Sequence, residues 1–530
     1  MKHEFLLLLL TGTALLLTFA DGQHEDIPYQ AVTKICEACV CLSNQDSNHR
    51  LHQTLNCDMK NFEHILPRWP TEFGTLSTGT EIVATYSGNR IRLLQQLPAT
   101  NATLTLSCRH CGMQQLQAPL FMDVPNVEAL YLSWNEIAED ALTPELFRGP
   151  FKSTKYEPIG LKDLDLSHNR IALLYRKLFE HTPQLLKLNL AYNRLSVLDA
   201  GTAAALGSVT SLQRLDLSHN GLMTLPSDLF VQLSSLRVLD LSGNEFTVVP
   251  ASIQQLGKSL VQLNLSGNQF SSLNAQSFQK LEALRRLNIS DLPALRTIGR
   301  GALVLPALEQ LECARNPKLE LLELQDLLAS RALSQLDISH NALSTLTLNV
   351  SSSNSSNSSN SSSAAAWPRL RSVSIAGNPW YCSCELMQSL ELVGMPRVEL
   401  SAGGAEARCD TPYLLAGTPL YNLTSQQICS MVIPKKYRAV EEEPPRFLRR
   451  RYVVLTAIIA SVVLVLGLII GFIVVCVRRR LKGSDYGVQP IRYTSVRGSN
   501  LSAFSQLQPA SVASKFNNAA SAGATGAANA

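Results

Sequence analysis

Charge is scarce in this chain. Acidic and basic residues make up 17% of its 530 positions, against about 25% in an average soluble protein. The net charge of +4 is too small to hold a nucleic acid by itself. It is also unevenly spread. The 53 residues beginning at Arg478 carry seven basic side chains and one acid, residues 435–451 carry seven and three, and residues 21–434 are therefore net acidic. An acidic body excludes a nucleic-acid binder built on that body. Catalytic signatures are missing too. There is no Gly-rich phosphate loop, no His-Glu-x-x-His and no Gly-x-Ser-x-Gly. The length allows roughly three domains, and the charge pattern says that something divides them.

Two apolar runs do so. Phe5 to Ala20 is a 16-residue run preceded by Lys2, short for a membrane span of about 20 residues. It ends in small residues and reads as a cleaved signal peptide, 1–20. Val453 to Val477 is a 25-residue run without charge. At 1.5 Å per residue it reaches about 37 Å, enough to cross a bilayer core of about 30 Å. Arginines flank it on both sides, at 449–451 and 478–480, so the positive-inside rule is silent. The signal peptide sets the orientation instead: a single-pass type I plasma-membrane protein, with its N-terminal body outside the cell.

The body between the runs is repetitive. Leu161-Lys-Asp-Leu164-Asp-Leu166-Ser-His-Asn169 fits L-x-x-L-x-L-x-x-N, and copies end at Asn193, Asn220, Asn244, Asn268, Asn316, Asn341 and Asn378. Weaker copies end at Asn89, Cys111, Asn135 and Leu292. Nine of the eleven spacings lie between 22 and 27 residues. L-x-L has period two, so Leu164 and Leu166 point one way and Asp165 the other. One short strand per turn then buries its leucines against neighbouring turns, and the strands stack into a parallel sheet. The anchor asparagine, with donors and an acceptor, can satisfy buried backbone groups where the chain leaves the strand. Phe147, Phe179, Phe230 and Phe278 recur on the return path and are expected to form an inner spine. Two spacings are long. One enlarges a return loop near Pro150–Ile159. The other holds the Ser/Asn/Ala tract 349–366, too polar to pack and read as a disordered spacer.

This pattern resembles the extracellular leucine-rich repeat family over most of residues 80–380. The resemblance implies an α/β-type solenoid with a parallel sheet on its concave face, an irregular or short-helical convex side and cysteine-rich caps. One transmembrane helix and a disordered tail complete the fold class. Cys36, Cys39, Cys41 and Cys57 precede the repeats, and Cys382, Cys384, Cys409 and Cys429 follow them. Four cysteines allow three pairings. The resemblance implies Cys36–Cys41 with Cys39–Cys57 and Cys382–Cys409 with Cys384–Cys429. Zinc on Cys36-x-x-Cys39 is the rival reading, disfavoured in a secretory lumen. Cys108 and Cys111 are core thiols or a local disulfide. Cys313 reads as an inert buried thiol, and Cys476 at the inner membrane edge is a candidate for palmitoylation.

The expected division is a signal peptide 1–20, an N-terminal cysteine-rich cap and lead-in 21–79, and about twelve repeat turns over 80–378 with the insert 349–366. A C-terminal cysteine-rich cap 379–434, a basic linker 435–452, a membrane helix 453–477 and a cytoplasmic tail 478–530 follow. Sequons for N-glycosylation fall at Asn101, Asn264, Asn288, Asn349, Asn354, Asn357, Asn360 and Asn422, in agreement with secretion. Asn264 and Asn288 stand between strand leucines, so glycans there would cover part of the concave face.

The column between the strand leucines supplies the candidate ligand face: Asp165, Asn189, Asp216, Asp240, Glu312 and Asp337. It is a partly acidic ladder, and a solvated consensus position explains it equally well. Arg214, Arg237, Arg285, Arg286 and Arg315 break its field, which argues against a simple match to a basic ligand. Ser-His-Asn recurs at 167–169, 218–220 and 339–341, residue types suited to a nucleophile and base. These are one repeat position seen three times, and His168 and His219 lie two turns, about 10 Å, apart. That is too far to share a zinc with bonds of about 2.1 Å. No metal, cofactor or catalytic residue is expected.

The tail is too short for a kinase or a Toll-type signalling domain. Tyr493-Thr-Ser-Val496 looks like an endocytic signal, and the chain end lacks the large apolar residue of most PDZ ligands. Together these features imply a cell-surface receptor or adhesion protein that binds a protein ligand or a neighbouring cell's surface protein. They leave room for cytoplasmic adaptors and homodimers, and imply no nucleic acid. The alternative is a modulator acting in cis on another receptor's signalling or traffic.

Overall fold

The structure, a computed structural model, describes residues 35–47, 50–346, 348, 367–394, 399–400 and 406–431. The expected signal peptide, the insert with Asn349, Asn354, Asn357 and Asn360, the run 453–477 with Cys476, and the tail with Tyr493 and Val496 lie outside the described residues. The chain divides into two units, 1–434 and 435–530, and all described residues belong to the first. No helix among them is long and apolar enough to cross a membrane.

The unit is a leucine-rich repeat solenoid. A fifteen-stranded sheet runs its length, parallel throughout except for the first strand, Val40–Gln45, which pairs antiparallel with Leu51–Asn56. Central strands are three residues long, such as Asp163–Asp165, Lys187–Asn189 and Arg214–Asp216, and pair in strict register, Leu164 to Leu188 to Leu215. Those leucines are buried, as are Leu166, Leu190 and Leu217. Their alternation with half-buried polar residues fixes which face is core.

The anchor asparagines tie turn to turn. Asn193 Nδ2 donates to the carbonyls of Leu190 (3.1 Å) in its own turn and Leu166 (2.9 Å) in the turn before, while its Oδ1 accepts from Ile171 N–H at 3.0 Å. The scheme repeats from Asn135 to Asn268 and from Asn316 to Asn378. It fails at Cys111 and Leu292, whose side chains have no amide to offer. At the first gap Cys108 and Cys111 are joined by a disulfide.

Phe147, Phe179, Phe230 and Phe278 are all buried on the return path. Phe121 extends the spine, stacking on Phe147 at 6.0 Å, and Phe147 on Phe179 at 6.1 Å. The Asn193 turn interrupts it with a helix, Ala200–Gly207, whose N-terminal N–H groups are met by Asp199 accepting from Thr202 N–H at 2.7 Å. The enlarged loop forms a small hairpin, Phe151–Lys152 with Lys155–Tyr156. Disulfides close both ends: Cys36–Cys41 and Cys39–Cys57 before the array, Cys382–Cys409 and Cys384–Cys429 after it. In the second cap the helix Cys384–Val393 starts at Ser383, which accepts from Leu386 N–H, and stops at Gly394 in the left-handed region.

Candidate binding face of the solenoid

Strict register aligns the polar ladder. Asp165, Asn189, Asp216, Asp240, Asn264, Asn288, Glu312 and Asp337 occupy one column on successive strands. Their side chains have local work. Asp165 Oδ1 accepts from Ser167 N–H (3.1 Å) and Oγ–H (2.7 Å). Asn189, Asp216, Asp240, Asn264, Asn288 and Asp337 each accept from the backbone N–H two residues on, at 2.9–3.2 Å. These are turns closed by an Asn or Asp side chain, and they bend the chain out of each strand. Glu312, one methylene longer, accepts from Gln310 Nε2 at 2.6 Å instead. The second oxygen of Asp240 accepts from Asn264 Nδ2 at 2.9 Å. Burial raises the Asp216 carboxyl above the usual carboxylate range, opposed by its bonds to Ser218. The short motif Asp-Leu-Ser or Asn-Leu-Ser carries this second role, and reading only the charge of the column misses it.

A second column runs beside the first, one residue before each anchor. Every described residue there from the Gly88 turn onward has positive φ, because the chain reverses on leaving the strand. Gly88, Gly243, Gly267 and Gly377 meet that demand without cost. Five consecutive turns meet it with rings: His110, Trp134, His168, Tyr192 and His219, at φ of 52–60°. The rings stack face to face with centroid separations of 5.1, 3.7, 4.1 and 4.1 Å. A left-handed non-glycine residue costs about 1–2 kcal/mol. A stacked aromatic pair contributes about 0.5–1.5 kcal/mol, so stacking offsets the backbone strain to within its own size. Trp134 stays 51% exposed and Tyr192 45%, so what faces solvent is a rail of ring edges rather than a core. Beyond Gly88 the rail continues to Met59, also at positive φ and 81% exposed. Alongside, the Arg109 guanidinium lies 4.9 Å over the Tyr131 ring.

The histidines of Ser-His-Asn thus belong to a ring column, with Tyr192 between His168 and His219. Burial pulls the His168 imidazole below its ordinary range, against the opposing pull of Asp165. The third copy, His340, lies over Gly377. Trp134 and Tyr192 escape a reading that follows only serine, histidine and asparagine. Reading the column by position, whatever the residue type, finds them. No group of three or more His, Cys, Asp or Glu among the described residues could hold a metal.

The remaining candidates are dispersed. Asn101 and Asn422 are exposed, while Asn264 and Asn288 are half-buried and already used in their turns. Cys313 is free and fully buried, and burial pushes its thiol up to about 12.

A leucine rich repeat family model matches residues 159–213 and 210–270. The chain is 34% identical over 128 residues to transforming growth factor beta activator LRRC32 of Mus musculus, covering 24% of this chain and 17% of that protein. It is 32% identical over 147 residues to leucine-rich repeats and immunoglobulin-like domains protein 1 of Homo sapiens, covering 25% and 13%. The match spans less than a fifth of the length of either relative. Among solved structures, the mouse RP105/MD-1 complex aligns with a TM-score of 0.44 and 22% identity, over 69% of this chain and 53% of that one.

Proposed function

We propose that this leucine-rich repeat chain is a cell-surface receptor or adhesion protein that binds a protein partner and performs no chemistry of its own. The ring rail carries the reading. Trp, Tyr and Arg dominate the energetic centres of protein interfaces, and here Trp134, Tyr192, Tyr131 and Arg109 stand together on a rigid sheet edge. The stacking that offsets their left-handed backbone also holds five rings in one partly exposed row, ready for contact. The mouse relative is named as an activator of a growth factor, which supports a partner of protein class. In this reading residues 1–20 are removed on secretion, 453–477 anchor the chain as a type I membrane protein, and Asn101 and Asn422 carry glycans.

The test is an unbiased screen of cell-surface and secreted proteins against cells displaying the full chain. A partner is expected, and the Trp134→Ala/Tyr192→Ala chain should bind it at least about tenfold more weakly. If nothing binds and the cells do not aggregate, the reading fails.

A further inference from the structure

Three cations along the concave strands have partners. Lys162 holds Glu128 at 3.0 Å, Lys187 holds Asp163 at 2.9 Å and Arg285 holds Glu309 at 3.1 Å. On the rim Arg315 clasps Asp291 through two nitrogens, at 2.7 and 2.6 Å. Arg214, Arg237 and Arg286 differ: among the described residues none of them has a carboxylate within ion-pair distance. All three are exposed. They are also neighbours. Arg214, Val238, Gln262 and Arg286 align in register on four successive strands, and Arg237 stands one residue before Val238. Three strand gaps make the cluster about 14 Å long.

Local residues compensate it only in part. The positions between the arginines are neutral, filled by Gln262, Val238 and Val261, while the cations beside them, Lys187 in register with Arg214 and Arg285 next to Arg286, hold acids of their own. The nearest acids along the strands, Asp216 and Asp240, turn an oxygen onto Ser218 and Ser242. Gathering three like charges on one sheet carries a repulsive cost that the acidic column one step away relieves only in part, since no carboxylate forms an ion pair with them. A ligand bearing carboxylates would relieve it.

We infer that Arg214, Arg237 and Arg286 receive the carboxylates of an extended acidic segment of a protein partner. The inference rests on the protein-binding reading above and names the chemistry of the partner. A guanidinium takes a carboxylate through two parallel hydrogen bonds. The half-buried Val238 and Val261 offer apolar contact between those bonds, and Gln262 offers an amide to a peptide backbone. The acidic column one step away, with Asp216 and Asp240, limits how much negative charge fits, which favours a few spaced carboxylates over a dense polyanion. Spacing sharpens the class. An extended peptide advances about 3.4 Å per residue, so acids about four residues apart meet Arg214 and Arg286, with Arg237 between.

Random twelve-residue peptides displayed on phage and selected on cells bearing the full chain test this. The expected winners carry Asp or Glu four residues apart. Their capture should fall at least about tenfold on the Arg214→Glu/Arg237→Glu/Arg286→Glu chain and return when the peptide acids are changed to lysine. That charge swap excludes loss by misfolding. Winners without acidic bias, capture indifferent to the three arginines, or capture replaced by heparin binding would overturn the inference. Peptides or proteins lost with Trp134→Ala/Tyr192→Ala but not with the arginine variant would overturn it and leave the protein-binding reading standing. No capture of any peptide or protein would sink both.

Discussion

The imidazole of His219 occupies the space that a side chain at Gly243 would need. A Cβ built on Gly243 would fall inside that ring, and Gly243 itself sits at φ 63°. The ring rail ends at this point because glycine lets the last ring lie flat on the next turn.

Gly243→Ala should therefore cost more than the usual left-handed penalty of about 1–2 kcal/mol, because it also dislodges His219. The check is thermal unfolding together with the His219 ring resonances. An unchanged midpoint and an unchanged His219 environment would show that the ring does not rest there.

Asn193→Ala removes the donor to three carbonyls, those of Leu166, Leu190 and Ala191, and an acceptor for Ile171 N–H, all buried. Each orphaned group costs about 1–3 kcal/mol, so a loss of about 3 kcal/mol or more is expected in denaturant unfolding. A loss under about 1 kcal/mol would mean that the asparagines do not couple the turns.

Asp216→Asn should stabilise the protein at neutral pH. Its carboxyl is raised by burial, so the charged form is favoured less in the folded than in the unfolded chain. The protonated form's advantage is present at low pH and lost as pH rises through the folded value. Asparagine keeps the acceptor for Ser218, as Asn189, Asn264 and Asn288 do in the same column, without the charge. The melting temperature should rise by about 1–2 °C at pH 7 and the gain should vanish near pH 3. A fall at pH 7 would reverse the argument.

The depressed imidazole of His168 has the opposite signature. Below about pH 6.5 the unfolded chain takes up the proton more readily than the folded one, so stability falls as pH falls. His181 shares the direction, again through burial. His168→Phe keeps a ring in the rail and removes one proton site, so the drop in melting temperature between pH 7.5 and 5.5 should shrink. An identical drop would assign the acid sensitivity elsewhere.

Cys313, with its thiol pushed up to about 12 by burial, should resist iodoacetamide at pH 8 in the folded protein. It should react at once in unreduced, denatured protein. Mass spectrometry in a Cys476→Ser background reads this directly, and labelling of folded protein would mean that the turn opens easily.

The solenoid was legible because it is written in spacing. Leucines at period two and asparagines every 22 to 27 residues specify strand, core side and turn coupling without any distant information. The uneven steps around the hairpin and the Ala200–Gly207 helix were not legible in detail. One depends on Phe151 meeting Tyr156 edge-on at 5.0 Å, and the other on Asp199 meeting Thr202. The rail was hidden for a different reason. Trp134, His168 and Tyr192 are separated by 34 and then 24 residues and share no chemical type, so only the register of three strands makes them neighbours. The polar ladder was visible as a column, but its bonds to the following turn depend on backbone direction, which composition does not carry.

The two missing amides at Cys111 and Leu292 have a consequence for motion. Across those turns the strands keep their main-chain bonds but lose the side-chain tie, which leaves two seams in an otherwise continuous ladder. Opening of a repeat array propagates until it meets a weak interface, so native-state hydrogen exchange should resolve three cooperative blocks rather than one. All five stacked rings, and two of the three clustered arginines, lie in the middle block, which runs from the Cys111 turn, still tied by Asn135, to Asn268. The proposed partner surface thus lies largely within one block, so it can move as a single unit.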